Sequence, residues 1–467
     1  MKIIQKLKNN LTLVFFLPII LNFLINLLRN EIVIIYSFEN FVRLTSFLLS
    51  SIFFVRLSIF IKKILNISSN SLAITYFLTS YYLFDLLFLF LTQNFSSRLT
   101  FYFVSVFWIF LLASRLSKAE VFQLFITYFV MRLYHFFNFR HLSNNPNYLD
   151  LNTDVEVQWL PLAKMIYENN YFYGLENNLI EGQSLFLTYL QGLIMRINFD
   201  VNTFQFIQTN SYLLLTLSFL FIFDLEINNK NKIISIVTLA TLLMNNDWLY
   251  YLLINSLMLE GLLNFLVATY FINLKNNLKV KSVDSKLFFF FFGTLALTKQ
   301  FISLSFLILL VVFLIFIKQR MVTLIGLVPY FLDSIYKYIY LQNSNFVTYT
   351  SDLSYTDLIL DFILIRDLEF TNVIKIIKNF YIDKPLSLLF MYFFLVLFYT
   401  ILKLRNLDKY QTISVCFIIL NILFVFLLYL SYWKNIEINS SYRYIVNIFY
   451  LVYVFIISSF DSFEKIK

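Results

Sequence analysis

The chain has 467 residues, of which 60% are hydrophobic and only 13% charged, and its mean hydropathy is +0.75. Soluble domains carry about 25% charged residues, so the composition excludes an ordinary water-soluble enzyme and predicts a polytopic membrane protein. Six glycines leave no GxGxxG or GxxxxGK[ST] phosphate loop. The single cysteine and two histidines exclude a disulfide framework and a His- or Cys-rich metal site.

The net charge of +9 comes from basic residues scattered between apolar runs, which is not the pattern of a nucleic-acid-binding face. No cofactor is expected, and a divalent metal ion would need carboxylate ligands. Apolar runs long enough for membrane-spanning helices, about 20 residues each, recur along the chain. They lie at 11–28, 41–61, 71–92, 99–114, 121–137, 205–223, 233–250, 252–273, 287–317, 321–341, 385–402, 411–430 and 442–459.

Basic clusters separate many of these runs and set the predicted orientation. The positive-inside rule places the N-terminus in the cytoplasm, together with the clusters at 56–63, 115–118, 230–232 and 275–286. The run at 287–317 is too long for one span, and Gly293, Thr298, Lys299 and Gln300 interrupt it. We interpret it as a tight hairpin with Lys299 at an outward-facing tip, because only then do the later basic clusters also face the cytoplasm.

The predicted fold is therefore an all-α, polytopic integral membrane helical bundle of about 12–14 transmembrane helices, with short interfacial helices in its extracytoplasmic loops. It divides into N-terminal transmembrane helices at 1–118, a core at 119–341, and C-terminal transmembrane helices at 385–467. Two long hydrophilic loops, 138–184 and 342–384, both face outward. Every predicted cytoplasmic connection is short, which leaves no cytoplasmic domain to bind a soluble nucleotide-activated substrate. We therefore expect the chemistry on the outer face, with a substrate that arrives through the bilayer as a lipid.

The first outer loop gathers three carboxylates, Asp150, Asp154 and Glu156, within seven residues. On a helix Asp150 and Asp154 are i, i+4 neighbours, and like charges so placed raise each other's pKa, which suits a general base. On spacing alone, a solvated acidic loop that caps a helix is the stronger interpretation.

The sequence after these carboxylates resembles a known arrangement. WLPLAKMIYENN and then GQSLFLTYLQGLIMRI follow the acidic pair, and this order is similar to the first outer loop of the GT-C superfamily of polytopic glycosyltransferases. In that superfamily an acidic motif after a span precedes an interfacial helix, here 160–169, an amphipathic segment, here 184–197, and the next span. The resemblance covers about residues 121–320. The common Pro-Pro is missing, and residues 1–118 would be an N-terminal addition.

Three later segments resemble outer-side motifs of the same superfamily. NSLMLEGLLNFLVATYFINL places Glu260 at the outer start of a span, TLALTKQFISLSFLILL places Lys299 in a basic hairpin, and SSYRYIVNIFYL places Arg443 in a late arginine motif. The resemblance implies transfer of a sugar from a polyprenyl-phosphate donor to a glycan, lipid or protein acceptor. Asp154, ahead of Asp150, would be the catalytic base, and Lys299 and Arg443 would bind phosphate.

Glu156, Glu260 and His141 are further candidates for substrate binding. Each candidate has a structural alternative: interfacial snorkelling for Lys299 and Arg443, a polar helix end for Glu260, and an ordinary interfacial histidine for His141. Asp85, within an apolar run, is a functional hypothesis by its position or a structural partner of Arg43 or Arg56.

The AT-rich codon bias suggested by abundant Phe, Ile, Asn and Lys favours a bacterial inner membrane, with the active site facing outward. A transporter or lipid flippase is the main alternative function, and a glycan polymerase or ligase is a second. Nucleic acid is not an expected partner.

Overall fold

The structure is a computed structural model that describes about half of the chain. The described residues are 54–67, 69–92, 117–118, 160–168, 185–197, 214, 217–227, 229–244, 253, 259–279, 283–298, 300–313, 320–341, 374–375, 393–395, 397–398, 401, 409–431 and 441–466.

The described residues are helical and contain no strand, which confirms the predicted all-α class for this part of the chain. The α-helices are α1 Asn70–Thr92, α2 Leu160–Glu168, α3 Leu185–Ile197, α4 Asn229–Met244, α5 Glu260–Lys279, α6 Val283–Phe292, α7 Gln300–Val312, α8 Arg320–Leu341, α9 Lys409–Ser431, α10 Ser441–Val446 and α11 Phe449–Ile466. A 3-10 helix, Gly293–Leu297, extends α6. Further helical residues lie at 54–64 and 217–224.

Two described helices are long and apolar enough to cross a membrane, Asn70–Phe88 and Tyr410–Leu427. Three shorter apolar segments lie at Ile302–Val312, Leu324–Tyr336 and Phe449–Ser459. The helix α8 carries large apolar side chains, from Met321 to Ile339, that are exposed at three- and four-residue intervals. One face of α8 is therefore apolar and uncovered, whereas Asp333 on the same helix is buried.

Helix α5 forms the centre of the described bundle. Every residue from Leu259 to Phe271 is buried, and α5 packs against α1, α6, α9 and α11. A helix that is buried on all sides needs internal partners for its polar side chains. The amides of Asn264 and Asn273 find such partners, and these contacts fix how neighbouring helices meet α5.

The predicted hairpin in the run at 287–317 is confirmed. Ring centroids of Phe292 and Phe306 lie 4.8 Å apart, and those of Phe289 and Phe313 lie 5.7 Å apart. Closer to the turn, Ser303 Oγ donates to the carbonyl oxygen of Ala296 at 2.6 Å. These pairs run antiparallel and centre on residues 299–300. The α6–3-10 segment and α7 therefore fold back on each other.

The basic connections predicted to share one side of the membrane meet at one end of the bundle. Asp224 accepts hydrogen bonds from the backbone N–H groups of Asn70 and Ser71 at 3.0 and 2.7 Å, and so caps the N-terminus of α1. Asn273 Nδ2 of α5 donates to Ser69 Oγ at 3.2 Å, and Asn276 Nδ2 donates to Glu226 at 3.0 Å.

The clusters that this end brings together contain Lys62, Lys63, Lys232 and Lys275. We call it the basic end. The structure thereby confirms that three predicted basic connections lie together, because the residues that bond across this end belong to those connections.

Helix α3 lies in the segment 184–197 that the resemblance predicts to be amphipathic, and it packs against α2. In this helix every residue from Phe186 to Leu193 is buried, including Thr188 and Gln191. Its Gly192 faces α2, where an added Cβ would lie 3.0 Å from the carbonyl oxygen of Ala163. Close packing under α2 explains the burial. Helix α2 itself begins at Leu160, as predicted, with one face buried and Glu168 exposed.

The crossing of the 3-10 helix and α8 is held close by two glycines, and it gives a test of the fold. A Cβ on Gly293 would lie 2.1 Å from the carbonyl oxygen of Gly326. This oxygen belongs to the backbone, so a change of side-chain rotamer cannot relieve the clash. We expect Gly293→Ala to destabilise the protein by about 1–3 kcal/mol or more through overpacking, measured by thermal unfolding in detergent.

Gly326→Ala is the matched control for this crossing. A Cβ there meets the flexible side chain of Leu310 at 3.3 Å, so we expect a change of less than about 1 kcal/mol, helped by the higher helix propensity of alanine. Equal effects of the two substitutions would contradict the crossing described.

Candidate functional site

The end of the bundle opposite the basic end contains buried carboxylates. Asp85 lies 15 residues beyond Asn70 in α1, and Glu260 lies 13 residues before Asn273 in α5, so each is about 20 Å from the basic end at 1.5 Å per residue. Both side chains are fully buried, and Asp333 of α8 is 3% exposed. We call this the acidic end.

Asp85 and Asp333 belong to a node of two tyrosines and two carboxylates. The hydroxyl of Tyr189 in α3 donates to Asp85 Oδ2, and the hydroxyl of Tyr82 in α1 donates to Asp333 Oδ1 at 3.3 Å. The Tyr82 ring packs edge-on against the rings of Phe186 and Tyr189, with centroids 5.0 and 5.3 Å away. The node therefore joins α1, α3 and α8.

Two of these three helices adjoin the two long loops. Helix α3 follows the loop 138–184, and α8 leads directly into the loop 342–384. One turn of α1, from Tyr82 to Asp85, thus anchors a helix from each loop. The node therefore links the helix that follows the first loop to the helix that precedes the second.

Glu260 lies in the first turn of α5, where a carboxylate is stabilised by the positive end of the helix dipole. The next residue must be glycine, because a Cβ on Gly261 would lie 2.2 Å from the carbonyl oxygen of Leu253 and 3.1 Å from Leu214 Cδ1. Close backbone approach on this side encloses Glu260 at the start of the helix.

One turn further along α5, Asn264 interrupts the last helix of the chain. Its Nδ2 donates to the carbonyl oxygen of Val446 at 2.8 Å, and its Oδ1 accepts from the N–H of Tyr450 at 3.1 Å. In a continuous helix, the Tyr450 N–H would bond that Val446 carbonyl directly. The Asn264 amide thus replaces this bond, and α10 and α11 are separated by a turn with i→i−3 bonds at Asn447 and Ile448.

The contacts of Asn264 also place Arg443. Arg443 lies in α10, less than one turn before Val446, and Val446 bonds a side chain that is one turn from Glu260. The sequence candidates Glu260 and Arg443 are therefore brought to the same end of the bundle. The side chain of Arg443 lies outside the described residues.

The other predicted site residues are only partly located. Lys299 lies outside the described residues, between the buried Thr298 and the first residue of α7, at the centre of the confirmed hairpin. Before the hairpin turn, Phe291, seven residues before Thr298, packs against Tyr76 of α1, with ring centroids 4.5 Å apart. His141, Asp150, Asp154 and Glu156 also lie outside the described residues.

Four important residues were not singled out by sequence reasoning: Asp333, Tyr189, Asn264 and Asn447. A signal existed for Asp333, since a carboxylate inside an apolar run is a functional hypothesis wherever it occurs. Tyrosine and asparagine are so frequent in this chain that Tyr189, Asn264 and Asn447 carried no signal. Tyr189 donates a hydrogen bond to Asp85, and the predicted pairing of Asp85 with Arg43 or Arg56 stays a prediction, since Arg43 lies outside the described residues.

Comparisons with known proteins add no further information. The chain matches no protein-family model, no curated protein and no solved structure. Among the described residues, no group of three or more His, Cys, Asp or Glu side chains is arranged to hold a metal ion.

The tyrosine–carboxylate node makes a prediction about coupling. Tyr189→Phe removes the donor to Asp85, and we expect it to lower the free energy of unfolding by about 1–3 kcal/mol because a buried acceptor loses a bond. In the double variant with Asp85→Leu the losses should not add, since each substitution removes the same interaction. Thermal unfolding of the four proteins measures this cycle.

The control is Tyr270→Phe, which removes a 3.2 Å hydroxyl contact with neutral Thr294 and should cost about 1 kcal/mol or less. Additive losses at Tyr189 and Asp85 would show that the two side chains do not stabilise each other.

Proposed function

We propose that this protein is a polytopic membrane glycosyltransferase that moves a sugar from a polyprenyl-phosphate donor to a glycan, lipid or protein acceptor. The active site faces outward from a bacterial inner membrane. The proposal combines the resemblance to the GT-C superfamily with the arrangement of the bundle. The observation that supports it is the bond from Asn264, one turn from Glu260, to Val446 in the segment that contains Arg443, together with the node that joins α1, α3 and α8.

A membrane location agrees with the surface of the bundle. The apolar stripe of α8 comprises Met321, Leu324, Val328, Phe331, Ile335 and Ile339, each exposed. An exposed apolar surface of this extent is unfavourable in water and typical of a lipid-facing helix. Helix α1 presents Phe84, Leu87 and Leu91 in the same way. Two helices in the described residues meet the length and apolarity of a span.

The orientation follows from the basic end. Positive residues are retained on the cytoplasmic side of a membrane, so the basic end faces the cytoplasm and the acidic end faces outward. A substrate delivered through the bilayer as a lipid-linked sugar then meets carboxylates and basic residues at the outer surface without a soluble nucleotide-binding domain.

In the proposed reaction, a hydroxyl oxygen of the acceptor attacks the anomeric carbon of the sugar. The bond from that carbon to the phosphate oxygen breaks, the phosphate leaves with its lipid, and a carboxylate takes the hydroxyl proton. Asp154, with Asp150 beside it, is the proposed base. Lys299 and Arg443 bind the phosphate and stabilise its charge as it leaves. Glu156, Glu260 and His141 contact the sugar or the acceptor.

A second candidate function is transport, and two observations favour it. Asp85 and Asp333 are buried within apolar helices rather than exposed at their ends, which is common in proton- or ion-coupled carriers. The interruption between α10 and α11 also resembles the discontinuous helices that line transport sites.

The first test of the proposed function is chemical analysis of lipid-linked sugars. We expect membranes of a gene-deletion strain to accumulate one polyprenyl-phosphate sugar, and the Asp154→Asn protein to leave that accumulation in place, because the base is lost. Mass spectrometry of extracted lipids measures both. The Asp154→Asn protein should be as abundant in the membrane as the wild type.

Glu168→Gln is the control, since Glu168 is an exposed carboxylate on α2 and should restore wild-type lipid levels. Unchanged lipid-linked sugars in the deletion strain, with an altered solute or lipid distribution, would contradict the glycosyltransferase and favour the carrier.

A further inference from the structure

The side chain of Asn447 is buried at the interruption between α10 and α11 and forms no hydrogen bond. Only 1% of this residue is exposed, and neither its Oδ1 nor its Nδ2 has a hydrogen-bond partner in the described part of the protein. Other buried asparagines bond with their amides: Asn264 with Val446, Asn273 with Ser69, and Asn421 with Phe417. Asn447 therefore differs from them by leaving an entire amide unsatisfied.

Its position is fixed by the bonds on either side of it. Val446 and Tyr450 are both held by the Asn264 amide, and Asn264 lies one turn from the buried carboxylate of Glu260. Arg443 is four residues before Asn447. The unsatisfied amide thus lies at the acidic end, on the turn that the side chain from α5 holds open.

Interrupting the helix at this turn and burying an unsatisfied amide both cost free energy of folding, and packing alone does not explain why the protein keeps them. A continuous helix would bond Val446 to Tyr450 and would not need Asn264, and an apolar residue of the same shape would fill the place of Asn447 without an unmet amide. Natural proteins keep such unfavourable groups where a ligand or a reaction uses them. An amide both donates and accepts hydrogen bonds, as a sugar hydroxyl does.

We propose that Asn447, together with Glu260, forms a binding subsite for a hydroxyl-bearing group, namely the sugar ring of a lipid-linked glycan. The inference rests on the proposed function and extends it by naming a residue that the sequence motifs do not include. The carboxylate of Glu260 accepts hydrogen bonds from hydroxyls, and the Asn447 amide bonds a neighbouring hydroxyl through either of its atoms. The ligand supplies the partners that the Asn447 amide lacks in the described part of the protein.

Replacement of Asn447 by leucine separates binding from stability. Leucine has nearly the shape of asparagine and removes the unmet amide, so we expect Asn447→Leu to keep or raise the midpoint of thermal unfolding in detergent. Binding of a short-chain polyprenyl-phosphate sugar should weaken at least tenfold. A lower midpoint, or an unchanged affinity, would overturn the subsite.

Asn421→Leu is the matched control, because Asn421 is also buried but bonds Phe417 within its own helix. It should lower the unfolding midpoint and leave the affinity unchanged. A loss of affinity in this control equal to that of Asn447→Leu would also overturn the subsite, since any buried polar change would then have the same effect.

A second probe separates this inference from the proposed reaction. Octyl glucoside below its critical micelle concentration presents sugar hydroxyls on an alkyl chain without phosphate. If the deletion strain accumulates no lipid-linked sugar, the proposed transfer reaction is wrong. The subsite is still supported in that case if octyl glucoside raises the unfolding midpoint of the wild type and leaves that of Asn447→Leu unchanged. Equal shifts in both proteins would overturn it.

Discussion

The Asn264 amide bonds two backbone groups of the interrupted helix that would otherwise bond each other. The arrangement of the acidic end depends on this contact. Because α5 is buried on every side from Glu260 to Phe271, its polar side chains there must find partners inside the bundle. Asn264 finds two in one place, the carbonyl of Val446 and the N–H of Tyr450. This contact joins α5 to the interrupted helix and places Glu260, Asn447 and Arg443 at the same level.

The two ends of the bundle use buried polar groups differently. At the basic end, Asp224 bonds two backbone N–H groups and Ser69, so its role is to cap a helix and close the bundle. At the acidic end, tyrosine hydroxyls bond Asp85 and Asp333 and connect helices that lead into the long loops. The proposed glycosyl transfer would need such an end, because the donor sugar, the acceptor and the base must be held in one geometry while phosphate charge develops.

Much of this architecture follows from the sequence. The lengths of the apolar runs and the basic clusters between them correctly located α1, α8 and α9. The requirement that the later basic clusters lie on the cytoplasmic side predicted the hairpin. The ring pairs Phe292–Phe306 and Phe289–Phe313 confirm it. The start of α2 at Leu160 follows from Pro161, which is favoured in the first turn of a helix. These features depend on local composition or on charge, which one sequence contains.

The features that sequence reasoning missed depend on contacts between distant residues. The apolar run at 442–459 contains no glycine or proline, so nothing local indicates its interruption; the cause is Asn264, more than 180 residues earlier. The burial of α3 likewise depends on the close approach of Gly192 to Ala163, and the hydroxyl that donates to Asp85 comes from Tyr189, 104 residues later in the chain. Hydropathy reports only whether a segment is apolar, not which face meets which neighbour.

The central claim is that the acidic end faces outward and the basic end faces the cytoplasm. It is tested most directly by labelling intact cells with a membrane-impermeant maleimide, using single cysteines at positions 150, 299 and 443 or at positions 62 and 275, with Cys416 replaced by alanine. Labelling of the first three positions from outside, and of the last two only after permeabilisation, is the predicted result. Labelling of 150, 299 or 443 only after permeabilisation would contradict the shared outward-facing site.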